Sequence, residues 1–153
     1  MAEPISIVAG AVGLADVCVR AIKVLKQARD SYKGEDDELD ELHKEIGRLH
    51  DINDLVQRVY EAESTLSPDP THQRILVDWQ VTQGTLVDCE RVVEQINTIL
   101  ASIVKSAKGN HAKLDHIRVS LKQQSKDGSL RKLRGRLCSY QLQLQNCLAA
   151  ANV

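Results

Sequence analysis

Hydrophobic positions recur along this chain at helical spacing, and the first such stretch differs from the rest. Ile5–Leu25 reads ISIVAGAVGLADVCVRAIKVL, and no residue from Ile5 to Ala15 is charged. Pro4 suits the first turn of a helix, where a missing N–H has no intrahelical use. Those uncharged residues would span only about 16 Å of helix, whereas a bilayer core needs about 20 apolar residues. Asp16, Arg20 and Lys23 then interrupt the run. At about 100° per residue they share one narrow arc, a polar stripe that Gln27 and Asp30 extend forwards. Backwards, Ser6, Ala9 and Gly13 occupy roughly the same stripe, and the rest of the surface is Ile, Val and Leu. Such a helix needs a cover.

The later segments have narrower apolar seams. Leu39, Leu42, Ile46, Leu49, Ile52, Val56 and Val59 recur at steps of three and four, which predicts a helix from about Asp36 to Ser64. Its acidic start, Glu35 to Glu38, suits the positive end of the helix dipole. Ser67-Pro68-Asp69-Pro70 ends it, and Thr71 is a candidate N-cap for the next. A third helix is predicted over about His72–Lys105, on a seam of Ile75, Leu76, Trp79, Leu86, Cys89, Val93, Ile96, Leu100 and Ile103. Gly84 within it would mark a kink or a close contact. A shorter helix over about His111–Gln124 presents Leu114, Ile117 and Leu121. The last, capped by Ser129, carries Leu130, Leu133, Leu137, Tyr140, Leu144 and Cys147 at heptad spacing. The expected fold is all-α, an up-and-down helical bundle of four to five helices with an apolar N-terminal helix, forming a single domain over residues 1–153.

Composition sharpens that picture. Hydrophobic residues make up 42% of the 153, but aromatics only 3%, with no Phe, a balance that favours helices over strands. The chain is long enough to bury about 70% of its unfolded surface. Cys18, Cys89, Cys138 and Cys147 form no CxxC, so reduced thiols are expected. The formal net charge is −1, yet unevenly spread. Twelve acidic and four basic residues lie between Asp30 and Glu63, a balance of −8; nine basic and two acidic lie between Lys108 and Arg136, a balance of +7. One account is that these faces are solvated and neutralise each other across the bundle. The other is that Lys126, Arg131, Lys132, Arg134 and Arg136 form a patch for anionic membrane lipids, each cation contributing about 1 kcal/mol near an anionic leaflet. Nucleic acid fits poorly, since aromatic interleaving is nearly absent and the whole chain is not basic.

Catalytic constellations are missing: there is no GxSxG, no phosphate-binding glycine loop and no HExxH. The histidines are scattered, and Asp40-x-x-His43 lacks the second pair that a bundle metal site needs. Neither an enzyme nor a cofactor is expected. For the first helix two covers stay open. It is either a helix of a soluble bundle, with Gly10 and Gly13 admitting close neighbours, or one that leaves the bundle and enters a membrane as an oligomer, its polar stripe lining a wet interior. Ser6-xxx-Gly10 and Ala9-xxx-Gly13 are pairs of the kind that pack helices in lipid. A secretory signal is rejected, because Glu3 is the only charge ahead of the apolar run.

The opening MAEPISIVAGAVGLADVCVRAIKVLKQ, followed at once by an acidic helix with a leucine seam, resembles the N-terminal HeLo-like domains of fungal NOD-like receptors and related cell-death effectors. The likeness is most specific over Met1–Ile46, in EPISIVAGAVGLA, and the scarcity of aromatics fits the HeLo-like branch better than HeLo proper. Such domains are similar to the four-helix bundle of the mixed-lineage kinase-like pseudokinase and to coiled-coil domains of plant resistance proteins. The resemblance implies an execution domain of programmed cell death in fungal innate immunity, cytoplasmic at rest and at the plasma membrane when activated. Self-association would free the first helix to insert and permeabilise the membrane through Ile5, Ile7, Val8, Gly10, Val12, Gly13 and Leu14. Expected controllers are a nucleotide-binding receptor module or an amyloid signalling partner. None follows Val153, as expected of an isolated domain of a longer protein. The alternative is a soluble helical signalling or oligomerisation module with no membrane activity.

Overall fold

A computed structural model of the chain describes residues 4–30, 37–65, 79–107, 119–120, 122–124 and 128–151. The fold is all-α, and the described residues contain no strand. Four long helices dominate: α1 (Pro4–Asp30), α2 (Asp37–Thr65), α3 (Trp79–Ala107) and α4 (Ser129–Ala151). Residues 119–120 and 122–124 are also helical, within the predicted fourth segment. The expected turns at Gly34, Ser67–Pro70 and Lys108–Asn110 lie outside the described residues, as do Thr71 to Asp78 and the seam positions Leu114, Ile117 and Leu121.

The seams face inward. Leu42, Ile46, Leu49, Ile52 and Val56 of α2 enter one core with Leu86, Cys89, Val93, Ile96, Leu100 and Ile103 of α3. Leu130, Leu133, Leu137 and Leu144 join them from α4, and from α1 come Ala11, Leu14, Val17, Cys18, Ala21 and Leu25. Burying each Leu, Ile or Val side chain fully contributes about 1.5–3 kcal/mol before entropy is counted. Two local expectations change. Gly84 is exposed, α3 runs through it unbroken, and a side chain there would meet no atom within 4 Å. It is a tolerated helix breaker and no contact point. At the start of α4 the Arg131 N–H donates to the Gly128 carbonyl at 3.2 Å, so the first turn closes one residue ahead of Ser129, the predicted cap.

The helices alternate in direction but do not neighbour one another in sequence order. α1 packs against α2 and α3, and α4 packs against the same two helices. Round the bundle the order is therefore α1, α2, α4, α3. α1 and α2 form an antiparallel hairpin, with Asn53 opposite Ala11. α1 and α3 run parallel, Gly10 lying by Leu86 and Gly13 by Glu90. α4 returns antiparallel to α3, pairing Thr82 with Cys147 and Thr85 with Gln143. Consecutive α2 and α3 thus stand at opposite corners, meeting at one end where the Tyr60 and Trp79 rings cross edge-to-face at 4.9 Å. The helices run up, down, up and down as the sequence predicts, with consecutive α2 and α3 placed diagonally. Thirteen residues separate α2 from α3, enough chain to cross a bundle.

Candidate functional site

Two surfaces carry the residues singled out in the sequence. The first is α1, a corner helix with neighbours on two sides. Its inner face brings Ile7 and Leu14 into the core at 0% exposure, with Gly10 buried against Leu86. Gly13 is half-buried beneath Glu90, whose carboxyl atoms would lie 2.7–2.9 Å from an added Cβ. Both glycines face α3: a Cβ at Gly10 would make ordinary contact with Leu86, and one at Gly13 would displace the tip of Glu90. Val8 is half-buried, whereas Val12 is 55% exposed. Ile5 is helical, but its side chain lies outside the described set.

The polar stripe of α1 faces outward, with Asp16, Arg20 and Lys23 all exposed. Arg20 bridges Asp16 at 3.3 Å on its own helix and Glu94 of α3 at 3.4 Å. Exposed pairs of this kind stabilise by less than about 1 kcal/mol. Sequence reasoning missed that apolar residues share this outer surface: Val12 and Val19 are exposed beside the stripe. The signal was available, since Val12 precedes Asp16 by four residues and so lies within about 40° of it.

The second surface is the basic cluster, and the structure divides it. Arg134 turns inward to α2, where its Nη2 lies 2.7 Å from Glu45 Oε1 and its Nε donates to Glu45 Oε2 at 3.0 Å. Glu41 adds a carboxylate at 3.5 Å, and the Arg134 side chain is only 15% exposed. This forked pair is the acidic helix neutralising the basic one across the bundle, so Arg134 is withdrawn from the expected lipid patch. Lys132 and Arg136 instead sit a turn apart on the solvent side. With Gln95, Thr98 and Ile99 of α3 they line an open cleft of about 320 Å³, floored by Ile99 and Leu133. Arg131 is exposed but does not line this cleft, and Lys126 lies outside the described residues.

Buried thiols mark the joint between α1 and α3. Burial pushes the Cys18 thiol up to about 12, and Cys89 likewise to about 12, with the neighbouring Cys18 and Asp88 adding to it. Both stay protonated and unreactive at neutral pH, while Cys138 is exposed on α4. No group of three or more metal-binding side chains occurs among the described residues. No described helix is long and apolar enough to cross a membrane. Compared with known families, curated proteins and solved structures, the chain finds no match.

Proposed function

We propose that this domain is a membrane-permeabilising effector whose first helix leaves the bundle, inserts as part of an oligomer and executes cell death, as the likeness of its opening to HeLo-like domains implies. The observation that carries this proposal is the exposure of Val12 and Val19 on a corner helix. Val12 and Val19 border the charged stripe of α1, so its apolar surface extends past the buried inner face to the solvent side. Being a corner helix, it has two interfaces to give up, against α2 and α3. Lys132 and Arg136 around the α3–α4 cleft would provide the electrostatic attraction to anionic lipid.

One observation favours the second reading, a soluble signalling or oligomerisation module. Ile7, Ala11, Leu14 and Cys18 are fully buried, so α1 supplies a full share of the core at rest.

Val12→Glu separates the two. At an exposed position the substitution should leave stability within about 0.5 kcal/mol. In an inserted α1 Val12 stands at the border between the charged stripe and the lipid-facing sector, where an acidic residue costs up to about 2.5–3.5 kcal/mol per copy. The expected outcome is a folded variant that no longer releases dye from phosphatidylserine-containing vesicles, against a parent that does. Leakage equal in both would remove α1 from the membrane role, and a parent without leakage would leave the soluble module.

A further inference from the structure

Two side chains that belong to neither the apolar seams nor the charged surfaces grip the backbone of α1, one from each of its two neighbouring helices. Asn53 of α2 is buried, and its Nδ2 donates to the Ala11 carbonyl at 2.8 Å. Asn97 of α3 donates through its Nδ2 to the Val17 carbonyl at 3.1 Å. Both carbonyls lie well inside α1, where each already accepts the N–H four residues further on. The asparagines therefore fill no vacancy in the helix.

They leave one of their own. The Oδ1 atoms of Asn53 and Asn97 are both buried and have no hydrogen-bond partner among the described residues. A buried amide with half its bonding capacity unused is less favourable than a hydrocarbon side chain of the same shape. What the pair supplies instead is position. An apolar face tolerates small slides of a helix, but two hydrogen bonds aimed at two particular carbonyls do not. Buried polar groups of this kind are known to set register at a cost in stability. Small residues lie near the grip: Gly10 faces Leu86 with room for a Cβ, and the tip of Glu90 folds over Gly13.

We propose that Asn53 and Asn97 form a two-sided polar latch that fixes the register of α1 and makes its release less costly than apolar side chains in the same places would. When α1 departs, each uncovered amide is hydrated on all its bonding atoms. Leucines in the same places would be left as bare apolar surface, and water would oppose the departure. The latch is a property of the bundle alone. Its effect on permeabilisation rests on the membrane reading of α1.

The test uses the full chain with Asn53→Leu, Asn97→Leu and the double substitution. The expected results are a thermal midpoint several degrees above the parent and hydrogen exchange in α1 slowed at least tenfold relative to α4, with vesicle leakage reduced severalfold. Because Asn97 is only half-buried, Asn97→Leu has room to fit and decides the matter if Asn53→Leu overpacks and fails to fold. A lower midpoint or faster α1 exchange in Asn97→Leu overturns the latch whatever the leakage does. Slower α1 exchange with leakage at the parent level keeps the latch and sinks the membrane reading.

Discussion

Helix α4 is fastened to its neighbours by a charged fork and amide contacts: Arg134 forks onto Glu45, Gln141 donates to the Glu45 carbonyl, and Thr85 donates to Gln143. Across the bundle, α1 rests on the same two helices in another way. Its inner surface mixes small residues (Gly10, Ala11, Ala21) with Ile7, Leu14, Val17 and Leu25, and two asparagines approach its backbone. An ion pair with two forked hydrogen bonds fixes α4 strongly to one partner. The α1 contacts are apolar packing joined by polar bonds that α1 itself does not need. Two helices packed on the same two neighbours, α1 the more extensively, thus differ in what their removal would break. Removing α4 strips the largely covered Glu45 of its forked partner; removing α1 breaks the exposed Arg20–Glu94 contact and frees two amides to water.

The largest expected effects test what the two helices share. Leu14→Ala in α1 and Leu137→Ala in α4 each empty a fully buried site and should cost about 2–5 kcal/mol in chemical denaturation. A near-zero cost for Leu14→Ala would show that α1 is no part of the cooperative core. Next, Arg134→Gln should cost about 1.5–3 kcal/mol, because it takes a charged donor from the half-covered Glu45. No equivalent charged fastening is expected at Arg20, where Arg20→Gln should change stability by under about 1 kcal/mol.

Alkaline titration addresses the α1–α3 joint. Cys18 and Cys89 have an ordinary value of 9.0 and are held at about 12 in the fold. Between pH 9 and 12 the unfolded chain has lost these protons and the folded chain keeps them, so stability is complete below 9 and falls as pH rises. The slope should approach about 1.4 kcal/mol per pH unit for each thiol. Replacing both with Ala should flatten that part of the curve, and an unchanged slope would assign the loss to other groups.

The smallest effects on stability carry the most about the surface. Lys132→Glu with Arg136→Glu should leave unfolding within about 0.5 kcal/mol and weaken binding to anionic vesicles. Binding in the parent should also fall with salt, since attraction decays over about 8 Å at physiological ionic strength. If Arg134→Gln reduces vesicle binding as much as the cleft substitutions do, the division of the basic cluster is wrong.

Much of this was legible in the chain. The steps of three and four in α2, α3 and α4 predicted which leucines are buried, and the predicted α2, Asp36–Ser64, differs from the observed one by a residue at each end. The charged stripe of α1 predicted an outward face, and Asp16, Arg20 and Lys23 occupy it. The candidate site was less legible. Arg134 and Arg136 are neighbours in composition and charge, and only the position of Glu45 tells them apart. Asn53 lies on the inner face beside Ile52 and Val56, but nothing in its surroundings along the chain identifies a carbonyl forty-two residues away.

Sequence periodicity by itself determined that the chain is helical, where its long helices run and which angular sector of each is apolar. That information is local, because spacing along a helix fixes the angle of every side chain about one axis. Tertiary structure alone decided the order of helices round the bundle, the inward turn of Arg134, the exposure of Val12 and the grip of two asparagines on α1. Each of those depends on which neighbour stands opposite a given angle, and that is set by distant segments packing together at once.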